Sequence, residues 1–233
     1  MDVSDSGQAS VSGDASASAQ RSIEAVTDLL ALLGYGELQA FDQMAADARL
    51  APNLIRRAML SEMAAAEIVN YRRLERRLVE LGVDPEAAMR PYVEALQEYH
   101  RKTRPNNWLE ALAKAYVGDG VADDFYREVA EFLGGQDRDL VLQVLHDSQY
   151  AEFAALELRG AIEADPKVAN RMSMWARRLV GEGLSQALRV AAQRPALTEL
   201  IITASGDQDG VHALLKRITA AHTTRMAVVG LNN

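Results

Sequence analysis

Residues 61–81, SEMAAAEIVNYRRLERRLVEL, decide how this chain is read. Taken as a helix, the segment brings Met63, Glu67, Asn70, Leu74 and Leu81 near one face. Met63, Leu74 and Leu81 suit a core-facing stripe. Glu67 and Asn70 do not, because a carboxylate within an apolar stripe is costly unless something pairs with it. A carboxylate followed three residues later by a nitrogen ligand is a metal-binding arrangement of helix bundles. Here the following position holds Asn70 and not His.

The rest of the chain supports a helical frame around that segment. Of its 233 residues 48% are hydrophobic and 25% charged, a globular balance, and Gly and Pro are sparse after residue 20. Cysteine is absent, which excludes a disulfide framework, a Cys-ligated zinc and a Cys nucleophile. A net charge of −8 argues against a general nucleic-acid coat. No run of 18 apolar residues marks a membrane span, and no basic flank with an apolar stretch marks a signal peptide. The expectation is a cytoplasmic protein with no membrane partner.

Residues 1–20 are mostly Ser, Ala, Gly and Asp and read as a disordered tail. A first helix is expected over 22–48, with Val26, Leu30, Leu33, Glu37, Phe41, Met44 and Ala48 inward. Ala51-Pro52-Asn53 ends it, and the second helix closes near Leu81-Gly82. Asp84-Pro85 starts a shorter helix running to about His100, and Asn107 with Glu110 forms a capping box. A helix over 108–133 turns Leu112, Tyr116, Asp119, Asp123, Tyr126, Ala130 and Leu133 inward. Another over 138–163 turns Leu140, Val144, Asp147, Ala151, Ala154 and Leu158 inward. Further helices follow near 168–192, 196–203 and 210–229. The pattern is all-α: a ferritin-like four-helix bundle over 21–165, with crossover 82–106 joining two hairpins and C-terminal helices over 166–233 packed on it.

Each long early helix carries one acid on its apolar face: Glu37, Glu67, Asp119 and Asp147. Glycine precedes the acid in both Gly36-Glu37 and Gly118-Asp119, and the second acid of each hairpin follows 30 and 28 residues later. Antiparallel pairing then sets the acids of a hairpin at similar height. Four carboxylates at one level repel unless metal ions, protonation or Arg partners offset them. Divalent iron or manganese suits mixed carboxylate and nitrogen ligands. Asp123 competes with Asp119 for the third position.

Over 29–163 the chain resembles the ferritin-like di-iron carboxylate proteins, nearest the tRNA hydroxylase family that oxidises methylthio-isopentenyl-adenosine. The matching stretches are GYGELQAF, EMAAAEIVNYRRL, KAYVGDGVADDFYREVAEF and DSQYAEF. The family pattern is a lone acid, an acid-x-x-His, a lone acid and a second acid-x-x-His. The resemblance implies a metal set of Glu37, Glu67, Asp119 and Asp147, with Asn70 and Tyr150 where the histidines belong. It implies di-iron as cofactor, an oxidoreductase activity and a tRNA substrate. Loss of both imidazoles leaves mainly hard oxygen donors, which favour manganese, magnesium or calcium over iron, or no metal at all. His146 points about 100° away from Asp147. His100, His212 and His222 lie on other segments, the last two on a surface face.

Two readings from different classes follow. One is a di-metal hydroxylase-like oxidoreductase with a degenerate site. The alternative is a non-catalytic helical interaction protein that has lost the metal and acts through a partner or as a homodimer. Metal storage ranks below both, because the helices beyond Lys167 are not part of a minimal cage subunit. Arg72, Arg73, Arg76 and Arg77 read as a solvated face or an RNA-phosphate contact, and Trp108 and Trp175 as packing anchors.

Overall fold

The computed structural model describes residues 8–145, 148–205 and 208–232, and every regular element among them is helical. α1 (Gln8–Asp47) and α2 (Leu54–Glu80) form an antiparallel pair. α1 begins at Gln8, not at the Ser22 expected from sequence. An Ala- and Ser-rich lead that cannot nucleate a helix can extend one already formed, because propagation is far easier than nucleation. Asn53 caps α2, its Oδ1 accepting from the Arg56 N–H at 3.0 Å. The buried face of α2 is Leu60, Ala64, Glu67, Leu74 and Leu78, so Met63 and Asn70 flank the stripe and do not centre it.

The crossover is itself helical. α3 (Pro85–Met89) is N-capped by Asp84 and α4 (Val93–Lys102) follows a 3-10 turn over Arg90–Tyr92. Pro91 lies in that turn, where its missing N–H breaks a helix read as continuous from sequence.

The two remaining bundle helices are each interrupted. The third consists of α5 (Trp108–Lys114), a π turn over Ala115–Asp119, and α6 (Gly120–Ala130). The fourth consists of α7 (Gly135–Val144) and α8 (Ser148–Ala164), parted at Leu145, whose ψ of 149° is extended. The break changes the inward register. Val141, Tyr150 and Ala155 are buried, while Ala151, expected inward, is exposed.

The halves are joined by side chains of α2. Arg56 forms a salt bridge with Glu157 of α8 at 2.5 Å, and Arg77 one with Asp137 of α7 at 2.6 Å. Glu157 also receives the Trp108 indole N–H at 3.4 Å, and the Trp175 indole donates to the Glu110 carbonyl at 2.9 Å, so both tryptophans anchor packing. Around the bundle, α9 (Lys167–Gln193) lies on α4 and α5, α10 (Pro195–Ser205) on α1, and α11 (Gln208–Val228) on α6. Arg194, at the joint of α9 and α10, grips the buried Asp28 of α1 through Nε and Nη2, the first at 3.0 Å from Oδ2. No helix among the described residues is long and apolar enough to cross a membrane.

Candidate functional site

Glu37 on α1 and Glu67 on α2 are both in the interior, with only 2% and 5% of their surface exposed. Asp119 closes the π turn and Asp123 sits one turn further on, both half-buried. A π turn adds a residue to the helical turn and is common at functional sites. Here it ends at Asp119, and the α-helix that follows sets Asp123 beside it on the same face. Tyr150 on α8 is buried, and its phenol is held well above its usual pKa by burial, with Asp119, Asp47 and Glu67 adding to the shift. Tyr150 is therefore a neutral phenol placed near three carboxyl groups. Glu37 bears on a second phenol. It acts with Asp123 on Tyr126, whose phenol is likewise raised, mainly by burial. Asp147 and His146 lie outside the described residues.

Asn70 ties α2 to the end of α7. Its Nδ2 donates to the Val144 carbonyl at 3.1 Å, at the C-terminal end of α7, where helix carbonyls have no partner of their own. Arg73 reaches the same break through Gln143. The basic cluster read from sequence is thus divided: Arg73 and Arg77 are bonded within the chain, while Arg72 and Arg76 are exposed.

Three groups that no sequence pattern marks complete the site. Lys114 has 3% of its surface exposed and donates to Gln43 Oε1 at 3.3 Å. Burial pulls its pKa down to about 8, against the upward pull of Asp119 and Asp47. Asp47 is buried too, and burial raises its carboxyl while Gln43 and Lys114 act in the other direction. His100, assigned from sequence to a remote segment, comes into the same nest, and burial with the nearby Lys114 charge pushes its pKa down to about 3. Its Nδ1 is buried with no hydrogen-bond partner among the described residues. His222, expected on a surface face, is also buried, while His212 is exposed.

Two cavities meet at Asp119 and Tyr150. The inner one, about 20 Å³, is lined by Gln43, Asp47, His100 and Lys114 as well, and matches a single water molecule. The outer one, about 210 Å³, extends past Asp123 and Asp124 to Arg127 and Arg225. The glycines beside Asp119 are held closely. A Cβ on Gly118 would lie 2.7 Å from the Tyr99 hydroxyl, and one on Gly120 2.5 Å from Arg225 Nε. Gly36 meets nothing within 4 Å, so the Gly36-Glu37 and Gly118-Asp119 likeness seen in sequence does not extend to packing.

Among the described residues no three His, Asp or Glu side chains gather into a group able to hold a metal ion. Among the described donors, Tyr150 is a phenol raised by burial, Asn70 spends its Nδ2 on backbone, and a buried lysine lies beside Asp119 and Asp47, a set poorer for iron than two imidazoles.

The family model for the ferritin-like domain of actinomycetes matches residues 20–204. The chain belongs to that family. Among curated proteins none matches its sequence. Among solved structures, the ferritin-like domain is similar to protein 19 with aldehyde deformylating oxidase activity from Synechococcus. The two share 18% identity with a TM-score of 0.62, over 89% of this chain and 96% of that one. At that identity the likeness establishes the fold. What is shown is the broader relationship, a ferritin-like helical domain with an oxidase among its structural neighbours.

Proposed function

We propose that this ferritin-like domain works without a di-iron centre, as a helical interaction protein on an oxidase-type frame with a degenerate metal site. The observation that carries this reading is Lys114. A buried ammonium between Asp119 and Asp47 supplies the positive charge that carboxylates in a bundle interior require. The two positions where the resemblance places histidines serve other ends. Asn70 holds the broken end of α7, and Tyr150 is a neutral phenol in the core. The test is elemental analysis of protein expressed with iron and manganese supplements and purified without chelator. The expected result is well below one metal ion per chain. Two tightly bound irons would overturn the reading and restore a hydroxylase-like oxidoreductase. The triple variant Lys114→Met, Asn70→His, Tyr150→His is expected to gain iron relative to wild type, read by the same analysis.

One observation favours the oxidoreductase reading, in which the substrate is a modified tRNA base. The outer cavity of about 210 Å³ opens beside Asp119 and Tyr150, where an organic group would sit next to the acids. Iron-dependent oxygen consumption that rises on adding tRNA would support it.

A further inference from the structure

The face of α2 turned away from the core carries a second pattern. Exposed positions recur from Ile55 to Val79 at alternating spacings of three and four, the repeat of a two-stranded coiled coil. The core positions Leu60, Glu67 and Leu74 fall diametrically opposite. Ile55 is 74% exposed, and Val69 and Val79 are each 59% exposed. The stripe spans roughly 36 Å of helix.

We propose that this face pairs with the same face of a second copy, forming an antiparallel homodimer about a twofold axis level with Glu67. In that register Ile55 meets Val79 of the second copy, and Ala65 meets its Val69. Glu62 meets its Arg72. Ala58 meets the aliphatic stem of its Arg76, whose head group lies one layer from Glu62. In three of the four layers apolar faces apolar or acid faces base, in the fourth Ala58 lies on the stem of Arg76, and symmetry makes each contact occur twice. The alternatives are worse. A slip of one heptad sets Arg72 against Ile55 or against Val69. Parallel pairing sets Glu62 against Glu62 and Arg72 against Arg72.

The charged members of the stripe are available. Among the described residues Glu62, Arg72 and Arg76 make no side-chain hydrogen bond or ion pair within the chain, while Arg56, Arg73 and Arg77 of the same helix all do. Ala58 and Ala65 leave room for close approach of two helices. The inference is independent of metal content, since none of these side chains belongs to the buried site.

The test is sedimentation equilibrium of the full chain up to about 100 μM. Wild type is expected to dimerise. Glu62→Arg and Arg72→Glu are each expected to weaken the dimer about tenfold or more, because two attractive pairs become repulsive. The double variant Glu62→Arg, Arg72→Glu restores opposite charges across the axis and is expected to dimerise like wild type. Both sites are exposed, and circular dichroism checks that the helices persist. Because the chain has no cysteine, Ala65→Cys with Val69→Cys gives a second readout, a reducible covalent dimer on oxidation. A monomeric wild type, including one that instead binds RNA through Arg72 and Arg76, would overturn the proposal. So would a double variant that fails to recover, or a cysteine pair that leaves the chain monomeric.

Discussion

His100 is half-buried and neutral beside the Lys114 charge, and its protonation is linked to folding. Its pKa falls to about 3 in the folded chain, while in the unfolded chain it returns to an ordinary value of about 6.5. Between those values the unfolded state binds more protons, so stability rises with pH. The contribution is complete above about pH 6.5 and is lost progressively as pH falls towards 3. At pH 5 the loss is about 2 kcal/mol relative to neutral pH. His100→Gln is expected to flatten that acid limb, measured as urea midpoints from pH 7 to pH 4. The acids of the site were partly legible from spacing alone, since Glu37 and Glu67 sit on stripes whose other members are apolar. Lys114 and His100 were not. A lysine is a surface residue by default, and only the fold brings Asp47, Gln43 and Asp119 around this one. Asp147 lies outside the described residues.

At the level of elements, apolar periodicity located the helices better than it located their interruptions. Leu112, Tyr116, Tyr126 and Ala130 keep one stripe across the π turn, so the pattern reads as one unbroken helix. The parting of α7 from α8 has no Pro or Gly to announce it; Asn70 and Arg73 meet the carbonyls there from another helix. Gly120 was legible only as a weak helix former. In the structure it is the bed for Arg225, which bonds Asp124 at 2.7 Å and whose backbone carbonyl accepts from the Tyr116 hydroxyl at 3.1 Å. Gly120→Ala is expected to displace Arg225, destabilise the chain by about 1–3 kcal/mol, and raise hydrogen exchange in α11 above that in α2. Exchange rising equally in both helices would mean that α11 is not selectively released.

Across the whole molecule, the hairpin–crossover–hairpin order was legible because two strongly periodic pairs flank a long connection. The attachment of the later helices was not. It depends on pairs such as Asp28 with Arg194, which no local pattern relates. Removing one partner of a buried ion pair leaves an uncompensated charge. Arg194→Met is expected to cost about 2 kcal/mol in urea unfolding, less than a wholly buried pair because the guanidinium is partly exposed. Asp28→Asn with Arg194→Met is expected to recover part of that loss.

The same Asp28–Arg194 pair bears on the order in which the chain is made. Asp28 leaves the ribosome early, and its counter-ion is synthesised 166 residues later. At roughly 5–20 residues per second, translation takes on the order of ten seconds or more to cover that interval. During that time the side of α1 that α10 later covers is bare, and water solvates the Asp28 carboxylate there. That side of α1, among the first parts of the chain to be made, is thus among the last to be covered, when the α9–α10 joint arrives.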